Sequence, residues 1–340
     1  MTGARGHRRP GVVATAVLCA VAAAGLHGCS GSGPSEPAPT PTPAPVTPPP
    51  ATPPPVTSPP GAGISPLTGL PARSAPVLAV KIDNVPPARP HTGLADADLV
   101  YVEQVESGQT RLMAVYSSHL PARVGPVRSA RESDLALLRQ FGRPVLAYSG
   151  AQTALTPLLR AAPLHLASES SAPGAFVRDP GRAPPHNLYL KPVRALATAP
   201  GATHAKDIGF RFGPAPGDGT PLNSRTVRFP AARYTFTWVP AEHAWRVAMD
   251  GRPDGPLKPA TVVVQHVSVR PSRFHDFLGA VSPYTVTTGS GRAEVLRDGR
   301  VHEARWNRPD ADSGTTFTTP AGAPLSFAPG KVWVLLTGTG

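Results

Sequence analysis

The chain has 340 residues, with 33 lysines and arginines against 21 aspartates and glutamates, a formal charge of +12, and 46 prolines. Its two cysteines, Cys19 and Cys29, lie near the N-terminus, so everything after residue 29 lacks a thiol, which excludes disulfides and thiolate metal sites there.

Arg5, Arg8 and Arg9 precede an apolar run from Gly11 to Leu26, which ends in Leu26-His27-Gly28-Cys29. A basic start, a short apolar stretch and a small residue before cysteine have the layout of a signal peptide cleaved ahead of a lipid-carrying thiol. The run is too short for a comfortable spanning helix. Residues 1–28 therefore read as a signal peptide and Cys29 as the lipidation site; an ordinary secretory signal with a chance cysteine is the alternative. Two acyl chains, at about 0.8 kcal/mol per buried methylene, suffice for stable anchoring. The expected location is the outer face of a bacterial cytoplasmic membrane, with the membrane as first partner through the lipid. Removing three arginines and no acids leaves about +9 on the mature chain. For an exported protein this favours anionic headgroups, wall polymers or phosphorylated glycans, and puts nucleic acid low.

Residues 29–63 comprise the cysteine and a Pro-Ala-Thr-rich stretch, as in Pro39-Thr40-Pro41-Thr42-Pro43 and Pro53-Pro54-Pro55. Such composition favours polyproline II, at about 3.1 Å per residue, and reads as a stalk.

From Ile64 apolar runs of strand length alternate with turn residues. Strands are predicted at Val77 to Ile82, Asp98 to Val105, Arg111 to Ser117 and Pro144 to Tyr148. Ser129-Ala130-Arg131-Glu132 has capping-box spacing, which places a helix N-cap at Ser129 and an apolar face on Leu135, Leu138 and Phe141. Further helical patterns cover Gln152 to Ala162, interrupted by Pro157, and Pro192 to Ala199. After Gly213 to Pro221 strands dominate. Tyr234, Phe236 and Trp238 alternate with Thr235, Thr237 and Val239; Thr261 to Val267 reads as a fully buried strand; Lys331 to Leu336 is the last. Asp298-Gly299, between Glu294 to Arg297 and Arg300 to Arg305, predicts a type I′ hairpin. The expected class is α+β, a mixed-sheet N-terminal domain with packed helices (64–205), a linker (206–222) and a smaller β-rich C-terminal domain (223–340).

The chain has no HExxH, no P-loop, no Gly-x-Ser-x-Gly outside the signal region and no GxGxxG after a strand. His266 and His275 flank a basic strand end, but scattered histidines are more often surface or core residues, so no metal and no cofactor are expected. What stands out is a set of arginines. Arg111 opens a strand, and Arg128 and Arg131 bracket Ser129. A helix N-terminus offers free N–H groups and about half a positive charge, and guanidinium forks suit phosphate or carboxylate. Arg178, Asp179, His186 and Asn187 form a second polar group between prolines. The candidate anion-binding residues are thus Arg111, Arg128, Ser129, Arg131, Arg178, His186 and Asn187, supported by Asp83, Asn84, Glu103, Glu106 and Asp179. The competing reading pairs the arginines with those acids as packing.

Val80-Lys81-Ile82-Asp83-Asn84, Thr110-Arg111-Leu112-Met113-Ala114-Val115, Gly125-Pro126-Val127-Arg128-Ser129-Ala130-Arg131, Pro184-Pro185-His186-Asn187-Leu188-Tyr189 and Pro329-Gly330-Lys331-Val332-Trp333-Val334 together resemble the YerB-like bacterial lipoprotein family. The resemblance covers nearly everything after Ile64 and implies a signal-anchored lipoprotein with an α+β N-terminal and a β-rich C-terminal domain, and no established activity. The layout of strand, arginine-containing turn and helix is also similar to that of the LytR-CpsA-Psr phosphotransferases. That analogy implies Arg111, Arg128 and Arg131 as a phosphate clamp and Asp83 or Glu103 as a metal-positioning or activating acid. Three functions stay open: non-catalytic binding of an anionic envelope ligand, a phosphotransferase or hydrolase acting on a lipid-pyrophosphate or phosphorylated glycan, and a scaffold for another envelope protein.

Overall fold

The computed structural model describes residues 63–339 apart from 218 and 277, so the signal segment, Cys29 and most of the stalk lie outside the described residues. In chain order the main strands and helices are β1 (Leu78–Asp83), β2 (Leu99–Gln104), β3 (Thr110–Tyr116), α1 (Glu132–Leu138), β4 (Val145–Ala147), α2 (Thr156–Ala161), β5 (His165–Ala167), β6 (Phe176–Arg178), β7 (Leu188–Leu190) and α3 (Pro192–Ala197). Then follow β8 (Ser224–Phe229), β9 (Ala232–Val239), β10 (Ala244–Met249), β11 (Thr261–Val267), β12 (Val269–His275), β13 (Val281–Thr285), β14 (Gly289–Arg297), β15 (Arg300–Arg308), β16 (Thr316–Thr318) and β17 (Val332–Gly338).

An eleven-stranded sheet runs in the order Thr220–Pro221, β15, β14, β11, β17, β2, β3, β1, β4, β5, with β16 pairing on β15. Strands from both sides of the expected linker share it, because the last strand, β17, lies parallel between β11 and β2. Its central members are apolar on both faces, as a doubly covered sheet requires. Val100, Val102, Leu112 and Ala114 face one layer and Leu99, Tyr101, Met113 and Val115 the other. Over the first face lies an antiparallel meander, β8-β9-β10 with Arg252–Pro253. Its alternation is the one read from the sequence: Tyr234 and Phe236 point inward and set their rings edge-on against Trp333. The second face is covered by α1, α2 and a phenylalanine group, Phe210, Phe317 and Phe327.

The expected balance of helix and strand changes. Strand dominates, and α1, with seven residues, is the longest described helix. The α+β class therefore holds only as several sheets with a small helical part. Gln152 to Ala162 divides into a 3₁₀ turn at Thr153–Leu155 and α2, and Pro157 sits in the first turn of α2, where its missing N–H is no loss. Among the described residues no helix is long and apolar enough to cross a membrane. At the β14–β15 hairpin Asp298 and Gly299 have φ of 50° and 69°, the positive pair that a type I′ turn needs.

Candidate functional site

Of the residues singled out in the sequence, Asp83, Glu103 and Arg111 lie at the ends of β1, β2 and β3. In register, Asp83 faces Arg111 and Arg111 faces Glu103, so one row across three strands carries alternating charge on one face. One pair further in, Lys81 sits on the same face because strand side chains alternate. Its Nζ donates to Asp134 Oδ1 at 2.6 Å and Glu103 Oε2 at 3.2 Å, with all three side chains buried. Burial raises the pKa of Glu103, only partly offset by Lys81 and reinforced by Asp134.

Segment 124–130 threads between β1 and β7 as an irregular strand. Arg128 N–H donates to the Lys81 carbonyl, Asp83 N–H to Pro126, and Val127 N–H to Leu188. Gly125 makes this approach possible: at its φ of 157° a Cβ would lie 2.9 Å from the Leu188 carbonyl oxygen and from the Tyr189 ring. The threading delivers Arg128 and the β7 approach, with His186, to the end of β1. His186 Nδ1 lies 2.7 Å from Asp83 Oδ2, and Arg128 Nε lies 3.0 Å from the same oxygen. The latter is a charge contact without hydrogen-bond alignment, and no protein acceptor engages the other Arg128 donors among the described residues. Arg111 donates from Nη1 to the Ser129 carbonyl at 2.9 Å, and no carboxylate lies within ion-pair distance of it among the described residues. Burial, then the charge of Arg131 and of Arg128, pulls Arg111 down to about 10, against an upward pull from Glu106 and Asp83.

Arg131 differs. It forms a two-pronged pair with Glu106, Nε to Oε1 at 2.6 Å and Nη2 to Oε2 at 2.7 Å, and Ser282 donates to Oε1 as well. Burial resists ionisation of Glu106 but is outweighed by these donors, which hold it down at about 2.

The helix-end idea needs correction. Ser129 is not the N-cap; Arg131 is, with helical residues starting at Glu132. Asp134 accepts from the Arg131 N–H at 2.7 Å and donates its own N–H to the Arg131 carbonyl, so acids of the chain occupy the first turn. Of the second polar group, only His186 joins the Asp83 corner. Arg178 pairs with Glu169 and Asn187, Asp179 lies 3.6 Å from Arg123, and Asn84 braces Thr110 and Tyr234. A cavity of about 670 Å³ is walled by Ser129 and Arg131, and further by Gln152, Phe274, His275 and Ser282. No group of three or more His, Cys, Asp or Glu side chains placed to hold a metal ion occurs among the described residues. His91 is a further neighbour that sequence reasoning missed. Its Nε2 contacts the Asp83 carbonyl at 2.8 Å and its Nδ1 lies 3.2 Å from Asp254, a link that crosses to the meander sheet and carries no local sequence signal.

Two family models match, the N-terminal domain of a protein of unknown function (DUF3048) over residues 67–206 and its C-terminal domain over 225–334. The chain belongs to this family, the YerB-like one. The putative lipoprotein YerB of Bacillus subtilis is 35% identical over 130 residues, which cover 37% of this chain and 39% of that protein. The chain thus spans well under half the length of that curated relative. The crystal structure of YerB from Bacillus subtilis superposes with a TM-score of 0.69 at 22% identity, over 80% of this chain and 96% of that one, and shows the shared fold.

Proposed function

We propose that this member of the YerB-like family is a lipoprotein held by Cys29 on the outer face of the cytoplasmic membrane, and that it binds an anionic envelope polymer at the corner formed by Arg111, Arg128 and His186. The observation that carries the reading is that Arg128 contacts Asp83, and Arg111, its cross-strand neighbour, donates to the Ser129 carbonyl, with guanidinium donors left unused among the described residues, whereas the neighbouring Arg131 is consumed by Glu106. Spare, fixed donors of this kind suit phosphate oxygens. The adjoining cavity at Ser129 leaves room for an extended chain such as a polyol phosphate or a phosphorylated glycan. The N-terminal signal pattern and the likeness to a putative lipoprotein support the anchoring.

Retention of poly(glycerol phosphate) by the purified full chain tests the reading. Arg111→Met combined with Arg128→Met is expected to weaken retention by roughly 30-fold or more, as two charge-assisted contacts of about 1–3 kcal/mol each are lost. Unchanged retention by a folded double variant refutes it.

A further inference from the structure

Two histidines contact Asp83, and they differ in a way that bears on chemistry. His91 is 1% exposed in its side chain and uses both ring nitrogens, one on Asp254 and one on the Asp83 carbonyl. That is a brace. His186 is 17% exposed and uses only Nδ1, on the Asp83 carboxylate; no protein group engages its Nε2 among the described residues. A buried carboxylate accepting from Nδ1 fixes the tautomer whose Nε2 carries the free lone pair, and it stabilises the ring if that nitrogen takes a proton. The Asp83 oxygen that orients His186 also faces Arg128, so the imidazole and that guanidinium are held by one carboxylate.

We infer that His186, positioned by Asp83, is the general base of a phosphodiester hydrolase site in which Arg111 and Arg128 hold the phosphoryl oxygens. The inference rests on the anion-binding reading above and gives that site a reaction. Nε2 takes a proton from a water molecule as the water oxygen bonds to phosphorus. The phosphorus–oxygen bond to the leaving polyol breaks, the departing alkoxide takes a proton from solvent, and the imidazolium returns its proton to solvent. One water is consumed, and a phosphomonoester and an alcohol are formed. Charge that builds on the phosphoryl oxygens is met by guanidinium groups already in place, the condition under which electrostatic stabilisation is largest. The type of these groups favours a phosphodiester over a neutral ester, because an ester carbonyl presents no anionic oxygens for two guanidinium groups before attack.

The test uses the purified full chain with poly(glycerol phosphate) for retention and bis(4-nitrophenyl) phosphate for turnover. The wild-type chain is expected to liberate nitrophenolate above the buffer rate. His186→Gln is expected to lower kcat by about 100-fold or more, the usual contribution of a general base. Asp83→Asn, which alters the positioning carboxylate, is expected to lower kcat with KM held within about 3-fold, a split that a merely structural role does not produce. A wild-type chain that retains polymer but releases no product overturns the acid–base role alone, as does a His186→Gln chain with wild-type turnover. A wild-type chain that fails to retain polymer overturns the binding reading and this one with it.

Discussion

Two residues apart on β1, the same sheet face carries two different kinds of ionic group. At Lys81 the arrangement is closed: one ammonium lies between Glu103 and Asp134, all three shielded from water. At Asp83 it is open: one carboxylate is shared by Arg128, 26% exposed, and His186, with donors to spare on the outer side. The first arrangement can only hold the fold together, since no guest reaches it. The second sits where the sheet meets solvent, with Arg128 and His186 both partly exposed. Depth along one strand therefore separates a shielded ionic group from one partly open to solvent.

The comparison breaks most readily at Lys81. Replacing it with Met strands Glu103 and Asp134 without a counter-charge, and urea denaturation of the full chain is expected to show a loss of about 3–5 kcal/mol. A loss below about 1 kcal/mol contradicts the closed arrangement. Next comes Glu106, whose folded pKa is depressed by Arg131 in spite of burial. Its stabilisation is present above the usual carboxylate value near 4.5 and is lost as the pH falls toward about 2. Glu106→Gln is expected to cost about 2 kcal/mol at pH 7 after allowance for solvent screening, and to flatten the acid limb of a stability–pH curve. Glu103 has the opposite sign. Burial raises its folded pKa, so its contribution is intact below the usual carboxylate range and declines as the pH rises through the raised value. Glu103→Gln is accordingly expected to cost under about 1 kcal/mol at pH 8, because burial disfavours the ionised form that prevails there. A larger loss at pH 8 than at pH 5 contradicts that sign. The smallest effect belongs to Arg178. Its guanidinium pairs with Glu169 at a site half open to water, so Arg178→Ala is expected to change stability by less than about 0.5 kcal/mol and to leave polymer retention unaltered.

Much of the fold was legible because strand signals are local. The alternation Tyr234, Phe236, Trp238 and the valine-rich segment Thr261 to Val267 both became the strands they predict. The helix start was misread by two residues at Ser129, since a spacing of Ser to Glu does not reveal that Asp134 reaches back to Arg131. Short strands such as β6 and β7 carry too few residues for a period to show; neighbouring backbone supplies their hydrogen bonds. For the candidate site, residue types could be named but not their partners. Arg178 and Arg128 look alike in the sequence, yet one ends beside Glu169 and the other beside Asp83.

Composition and pattern alone determined a basic chain without thiols after residue 29, built of strand and helix segments behind a signal-like segment and a proline-rich stretch, because these depend on residues counted or compared with near neighbours. Tertiary structure decided that β17 closes one sheet from both halves of the chain and that His186 meets Asp83 across 103 positions of sequence. Such contacts are set by sheet register and by the threading of segment 124–130, which no local interaction encodes. Whether a charge is closed or open follows from its depth in that sheet, a property of the packed molecule and not of the residue.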